Sequence, residues 1–196
     1  MTRINKGAFA FVAFSLAAAS FAADLLTTGD TFRITTAGVT VICPLTVGGS
    51  FEARTNGVSG NLALADTSGA VNGAVEVDLG TLQTGIGLRD RHMKDKYLEV
   101  SRGDMFATAR LDEIRIARAE EGSVPFQGKL TLHGEQHAIS GIAELQRQRD
   151  GALRVRARFP ISLAAFRFQP PRYLGVGVRD EVQVQVQFTA LSTVGL

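Results

Sequence analysis

Apolar and polar side chains alternate with period two along much of the chain. Val75, Val77 and Leu79 alternate with Glu76 and Asp78, and Phe126, Gly128, Leu130 and Leu132 with Gln127, Lys129, Thr131 and His133. Leu153, Val155, Ala157 and Phe159 alternate with Arg154, Arg156 and Arg158, and Val182, Val184, Val186 and Phe188 with Gln183, Gln185 and Gln187. Successive side chains of a strand point to opposite faces, so each stretch has one dry face and one wet face. That one-sidedness predicts antiparallel sheet, because parallel sheet is covered on both faces. Asn56-Gly57, Asn72-Gly73, Glu121-Gly122, His133-Gly134 and Asp150-Gly151 fall between or beside these stretches and predict hairpin turns. Two segments break the rhythm. Leu88 to Glu99 is rich in charges of both signs and predicts a short helix or helical turn across the sheet or its opening. Phe166 to Tyr173 is irregular, and Pro170-Pro171 forbids strand pairing there.

Strands with one apolar face each can close into a barrel, which removes exposed edges. The fold class expected is therefore all-β antiparallel sheet with one short helix, able to close into a barrel. A barrel of about eight strands either fills its interior with side chains or holds one small ligand, and the pattern leaves both outcomes open. The dry faces give the candidate lining: Val75, Val77, Phe106, Leu130, Leu132, Val155, Phe159, Val184, Val186 and Phe188, with Met105 competing with Phe106 for the inward position.

The N-terminus changes the picture. Arg3 and Lys6 precede an apolar run from Ala8 to Ala19, and Ser20-Phe21-Ala22 supplies small residues at a cleavage site. This is the plan of a secretory signal peptide over residues 1–22, with one domain over 23–196 and a periplasmic destination. No Cys follows the run directly, which argues against a lipid-anchored N-terminus. The chain holds 21 basic and 19 acidic residues; removing Arg3 and Lys6 leaves 21 − 2 = 19 of each, a formal charge of 0 that disfavours a general nucleic-acid binder. The lone Cys43 excludes a disulfide framework and reads as a small buried hydrophobe.

Catalytic motifs are missing from the sequence. Gly57-Val58-Ser59-Gly60 reads as a turn rather than a nucleophile elbow, and Gly175-Val176-Gly177 precedes a strand rather than a helix. His133 and His137 are four residues apart, but Gly134 places a turn between them, so no metal site is expected. Arg154, Arg156 and Arg158, extended by Arg147 and Arg149, form a cationic row. It reads as a solvated outer face or as a surface for transient contact with anionic lipid head groups.

Several motifs resemble those of the YceI-like family. Thr84-Gly85, Arg89-Asp90 and His92-Met93 are similar to its signature, followed by the step Leu98-Glu99-Val100. Gly128 to Gly134 (GKLTLHG) and Gly175 to Val182 (GVGVRDEV) resemble a strand-and-turn and a closing step of that family, in the same order. The resemblance covers roughly Phe32 to Ala190; Glu135-Gln136-His137-Ala138 departs from the usual sequence after the turn. It implies a lipocalin-like barrel around an apolar tunnel, export to the periplasm, and binding of a polyisoprenoid lipid such as an isoprenoid quinone or polyprenol. The protein would be a carrier or reservoir without catalysis, and no cofactor is expected beyond that lipid. Burying a polyprenyl tail is worth on the order of 0.8 kcal/mol per methylene, which a tunnel supplies without any reactive group. Arg89, Asp90 and His92 would hold a polar head group, or Arg89 and Asp90 would pin the helical turn as structural ion pairs. Two rivals stand beside this reading. One is an enzyme with its site at Arg89, Asp90 and His92. The other is a stress-related protein with a packed barrel that acts through a protein partner.

Overall fold

The alternating stretches become strands of a closed sheet in a computed structural model that describes residues 29–66, 68–117, 122–169, 172–173 and 175–193. The signal peptide expected over 1–22, Glu121 and Pro170-Pro171 lie outside the described residues. In chain order the strands are β1 (Thr31–Pro44), β2 (Ser50–Thr55), β3 (Val58–Leu64), β4 (Ala70–Asp78), β5 (Thr108–Ile116), β6 (Gly122–Leu132), β7 (Glu135–Arg147), β8 (Leu153–Ser162), β9 (Arg172–Tyr173), β10 (Val176–Gly177) and β11 (Glu181–Ser192). Eight of them close an antiparallel barrel in the order β1-β3-β4-β5-β6-β7-β8-β11, with β11 returning to β1. Short β9 and β10 pair with each other in a second sheet, and β10 is tied to the barrel where Thr46 N donates to the Gly177 carbonyl at 2.8 Å.

The predicted helical segment lies between β4 and β5. Helix α1 (Gly87–His92) runs into a π-helical turn, Met93–Tyr97, and one more helical turn, α2 (Asp104–Ala107), precedes β5. The connection 79–107 crosses one end of the barrel, the end that also carries the β6–β7 hairpin and the β8–β11 connection. No helix among the described residues is long and apolar enough to cross a membrane.

Registers show why the dry faces meet. Phe159, Ala157 and Val155 on β8 lie opposite Val184, Val186 and Phe188 on β11, and Ala157 lies opposite Ala143 on β7. These inward residues belong to one apolar core, while Arg154, Arg156 and Arg158 between them are exposed on the outer wall. Arg147, by contrast, sits 3.6 Å from Asp30.

Three expected turns are corrected. Asn56-Gly57 makes no hairpin: β2 and β3 both run antiparallel to β1 in one continuous register, so the pair marks a kink in a single path. Gly57 to Gly60 accordingly opens β3 rather than forming a turn. Asn72-Gly73 lies inside β4, where the pairing with β5 shifts between Val71 and Val75. Gly73 adopts φ 103°, and a Cβ there would stand 1.9 Å from the Asn61 carbonyl oxygen, so this bulge requires glycine. His133-Gly134 is the hairpin expected, with Leu132 opposite Glu135 and both turn residues at positive φ (53° and 78°).

Candidate functional site

The inward side chains do not fill the barrel. They surround a cavity of about 190 Å³ whose lining residues are all Ala, Val, Leu, Ile or Phe. That is on the order of a dozen times the ~10–15 Å³ that admits one water, yet a void without polar partners stays dry. Leu153 and Ile161, eight residues apart on β8, both line it. At ~3.4 Å per residue and a strand tilt of ~40°, that separation is roughly 20 Å along the barrel axis. The cavity is therefore long and narrow, a shape that suits an extended aliphatic chain. Its middle is bounded by neighbouring Ala143 and Ala157, flanked by Val186 and Val39.

Of the residues expected to line a tunnel, Val75, Val77, Leu130, Leu132, Val155, Phe159, Val184, Val186 and Phe188 do face the cavity. Phe106 does not. The helical turn α2 breaks strand parity just before β5 and carries its ring to His133, 4.9 Å away and edge-on, while the Arg102 guanidinium covers it at 4.1 Å. Phe126 and Leu79, members of the same alternating stretches, line the cavity too, as do Phe32, Leu82 and Leu111 from less regular ones.

The connection 79–107 closes one end. Leu79 and Leu82 reach the cavity, and Leu98 and Val100 pack against the core. Two polar clusters hold this cap. In the first, Thr84 is the hub: its N donates to Asp90 Oδ1 at 2.7 Å and its Oγ1 also bonds that oxygen. Arg89 Nε donates to Thr84 Oγ1 at 2.8 Å and Nη2 to the Thr84 carbonyl at 3.0 Å, with the guanidinium 4.4 Å from the Phe51 ring centre. Arg89 and Asp90 are thus brought together through Thr84, whereas His92 is exposed and bonded to neither. In the second, Glu99 adopts a left-handed conformation (φ 52°) and meets Arg102 at 2.6 Å and His133 Nε2 at 3.1 Å. His133 Nδ1 lies 3.2 Å from the Phe166 carbonyl oxygen, its ring beside Phe168, and the neighbouring His137 ring meets Phe166 edge-on. Glu99 and His133 each lie in a stretch that resembles a family motif, but nothing local pairs them, because the members of the cluster come from three distant segments. Among the described residues no group of three or more His, Cys, Asp or Glu could hold a metal. Cys43 is half-buried, and burial pushes its thiol up to about 11, against a small opposing effect of Arg89.

Both cap carboxylates are held below the ordinary range, Asp90 by the Thr84 hydroxyl and amide and Glu99 chiefly by Arg102. A carboxylate depressed in the folded state stabilises the fold above its unfolded pKa, and that contribution vanishes as pH falls through the folded value. Melting temperature is thus expected to be level from neutral pH down to about pH 4 and to fall below it. Asp90→Asn should melt lower than wild type near neutrality, and the gap should close in acid. A gap independent of pH would count against the Thr84–Asp90 bond as a support of the cap.

Residues 16–190 match the YceI-like domain family. No curated protein matches the sequence. The fold is similar to the crystal structure of Burkholderia cenocepacia BcnA (TM-score 0.66, 17% identity, 79% of this chain and 96% of that one). It is also similar to a polyisoprenoid-binding domain from Saccharophagus degradans implicated in plant cell wall breakdown (TM-score 0.64, 16% identity, 85% and 99%). A Campylobacter jejuni YceI protein matches at TM-score 0.55 and 14% identity, over 74% of this chain and 86% of its own.

Proposed function

The chain belongs to the YceI-like domain family, and from that membership and its wholly apolar cavity we propose that it is a binding protein for a polyisoprenoid lipid, acting as carrier or reservoir without catalysis. The cavity is the observation that carries this reading. A long, narrow, dry void offers an aliphatic chain dispersion contacts along its whole length and offers a polar ligand nothing. An empty cavity costs ~24 cal/mol per Å³, so occupancy of 190 Å³ returns on the order of 5 kcal/mol to the fold. The similar domain from Saccharophagus degradans, described as polyisoprenoid-binding, supports the same ligand class. The leader-like residues 1–22 support export to the periplasm, where a water-insoluble tail needs a shield. Arg89 and Asp90 serve the cap in this reading, and the cavity-facing dry side chains hold the tail.

The test is mass spectrometry of an organic extract of the purified protein, expressed from its complete sequence. The expected result is a stoichiometric isoprenoid quinone or polyprenol. An empty extract, together with no uptake of added polyprenyl lipid from detergent, would overturn the carrier reading.

A further inference from the structure

The capped end of the barrel carries apolar side chains on its outside as well as its inside. Among the described residues, Val47, Ile86, Leu88, Met105 and Leu191 are the large apolar side chains left exposed, and all but Leu191 stand at this end. Val47 is 67% exposed, Ile86 55%, Leu88 61% and Met105 63%. The loops involved are glycine-flanked, and the one that carries Val47 is anchored by the Thr46 N–H donating to the Gly177 carbonyl at 2.8 Å. A Cβ on Gly48, Gly49, Gly85, Gly87 or Gly103 would meet nothing within 4 Å. Ile86 stands between Gly85 and Gly87, and the neighbouring loop with Val47 leads to Phe51, on which Arg89 rests. Basic side chains follow directly: Arg91, Lys94 and Lys96, with Asp95 as the acidic residue among them. The side chains of Arg91 and Lys96 form no hydrogen bond or ion pair with a described residue.

We propose that this end is a docking face for an anionic phospholipid bilayer, with Ile86 and Leu88 entering the interface and Arg91, Lys94 and Lys96 resting on phosphates. Apolar tips with basic side chains beside them are the chemistry of interfacial binding, in which buried apolar area and attraction to anionic head groups add. The inference rests on the lipid-carrier reading for its choice of partner, since a polyisoprenoid is drawn from a membrane. Continuity supports it as well: the connection that presents Ile86 and Leu88 outward contributes Leu79 and Leu82 to the cavity wall. Docking would bring the cap, and the cavity end beneath it, against the lipid source.

Co-sedimentation with vesicles tests this, using phosphatidylglycerol–phosphatidylethanolamine against phosphatidylcholine alone, with protein expressed from its complete sequence and recovered in soluble form. Wild type should sediment with the anionic vesicles and much less with the neutral ones. The exposed double variant Ile86→Asp/Leu88→Asp should lose binding by about tenfold or more, given the apolar area withdrawn. It should keep its melting temperature and still load polyprenol from detergent. Arg154→Glu/Arg156→Glu, on the outer wall, should bind vesicles as wild type does. Wild type that loads polyprenol but ignores vesicles, or an Ile86→Asp/Leu88→Asp variant that binds them fully, would overturn the docking face while leaving the carrier reading intact. Loss of vesicle binding in the wall variant alone would overturn it in favour of the arginine row. Vesicle binding without any lipid uptake would leave the docking face standing and remove the carrier reading.

Discussion

Replacing Ala157 with phenylalanine is expected to empty the barrel of lipid without unfolding it. Ala157 and its neighbour Ala143 are the smallest side chains at mid-height of the wall, and both face the cavity. A phenyl ring at Ala157 projects between Val186 and Ala143, across the path an extended chain must follow. Two energies compete in the unliganded protein. Overpacking a filled core costs about 1–3 kcal/mol, but filling a void returns ~24 cal/mol per Å³. The site borders a void, so the two nearly cancel and the melting temperature should move little. The lipid has no such compensation, because a blocked midpoint halves the length of chain that can be buried, and each methylene left in water forfeits about 0.8 kcal/mol. Mass spectrometry of organic extracts should show near-total loss of polyisoprenoid from Ala157→Phe. Wild-type lipid content in a folded variant would mean that the ligand lies elsewhere.

Gly141→Ala should be among the most damaging single substitutions in the wall. Gly141 lies on β7 between Phe126 of β6 and Phe159 of β8, whose rings meet edge-on above it at 5.9 Å and 84°. A Cβ at Gly141 would stand 2.3 Å from the Arg158 carbonyl oxygen, 2.7 Å from Phe126 Cε1 and 2.8 Å from Phe159 Cβ. The first of these is backbone and cannot rotate away; relief requires β7 and β8 to part. The aromatic pair, worth about 0.5–1.5 kcal/mol beyond its buried area, would be disturbed as well. A loss of about 3 kcal/mol or more is expected, a large share of the ~5–15 kcal/mol that holds a domain folded. Urea titration followed by circular dichroism measures it, and an unshifted midpoint would contradict the packing described. Gly141→Val should fail to accumulate as soluble protein.

The uninterrupted strands were the legible part of the chain. On β8 and β11 alternation runs without a break, so Val155, Phe159, Val184, Val186 and Phe188 could be assigned to the inside from their spacing alone. Elsewhere bulges reverse the parity. On β5, Glu113 sits at φ 46°, and the inward positions change from Ala109 and Leu111 to Ile114 and Ile116 across it. On β1 the shift between Ile34 and Thr36 does the same, moving the inward set from Phe32 to Val39 and Val41. A bulge inserts a residue without a compositional signature, so period-two reading loses its phase there. Phe106 falls outside the cavity for a related reason: α2 replaces the strand parity with a helical one. The pairing of Glu99 with His133 is not legible, because left-handed Glu99 and a hairpin residue meet only where the connection 79–107 crosses the barrel end.

Closure of the barrel depends on its last strand. β1 begins at Thr31, and its full-length partner is β11, whose register pairs Phe32 with Ser192. These are the most widely separated partners in the barrel, so their pairing carries its greatest loop-closure cost. Until the final strand has been synthesised, β1 and β8 present bare edges and the apolar interior lies open. A growing chain therefore lacks the strand that seals its apolar interior until nearly all of the barrel has been made.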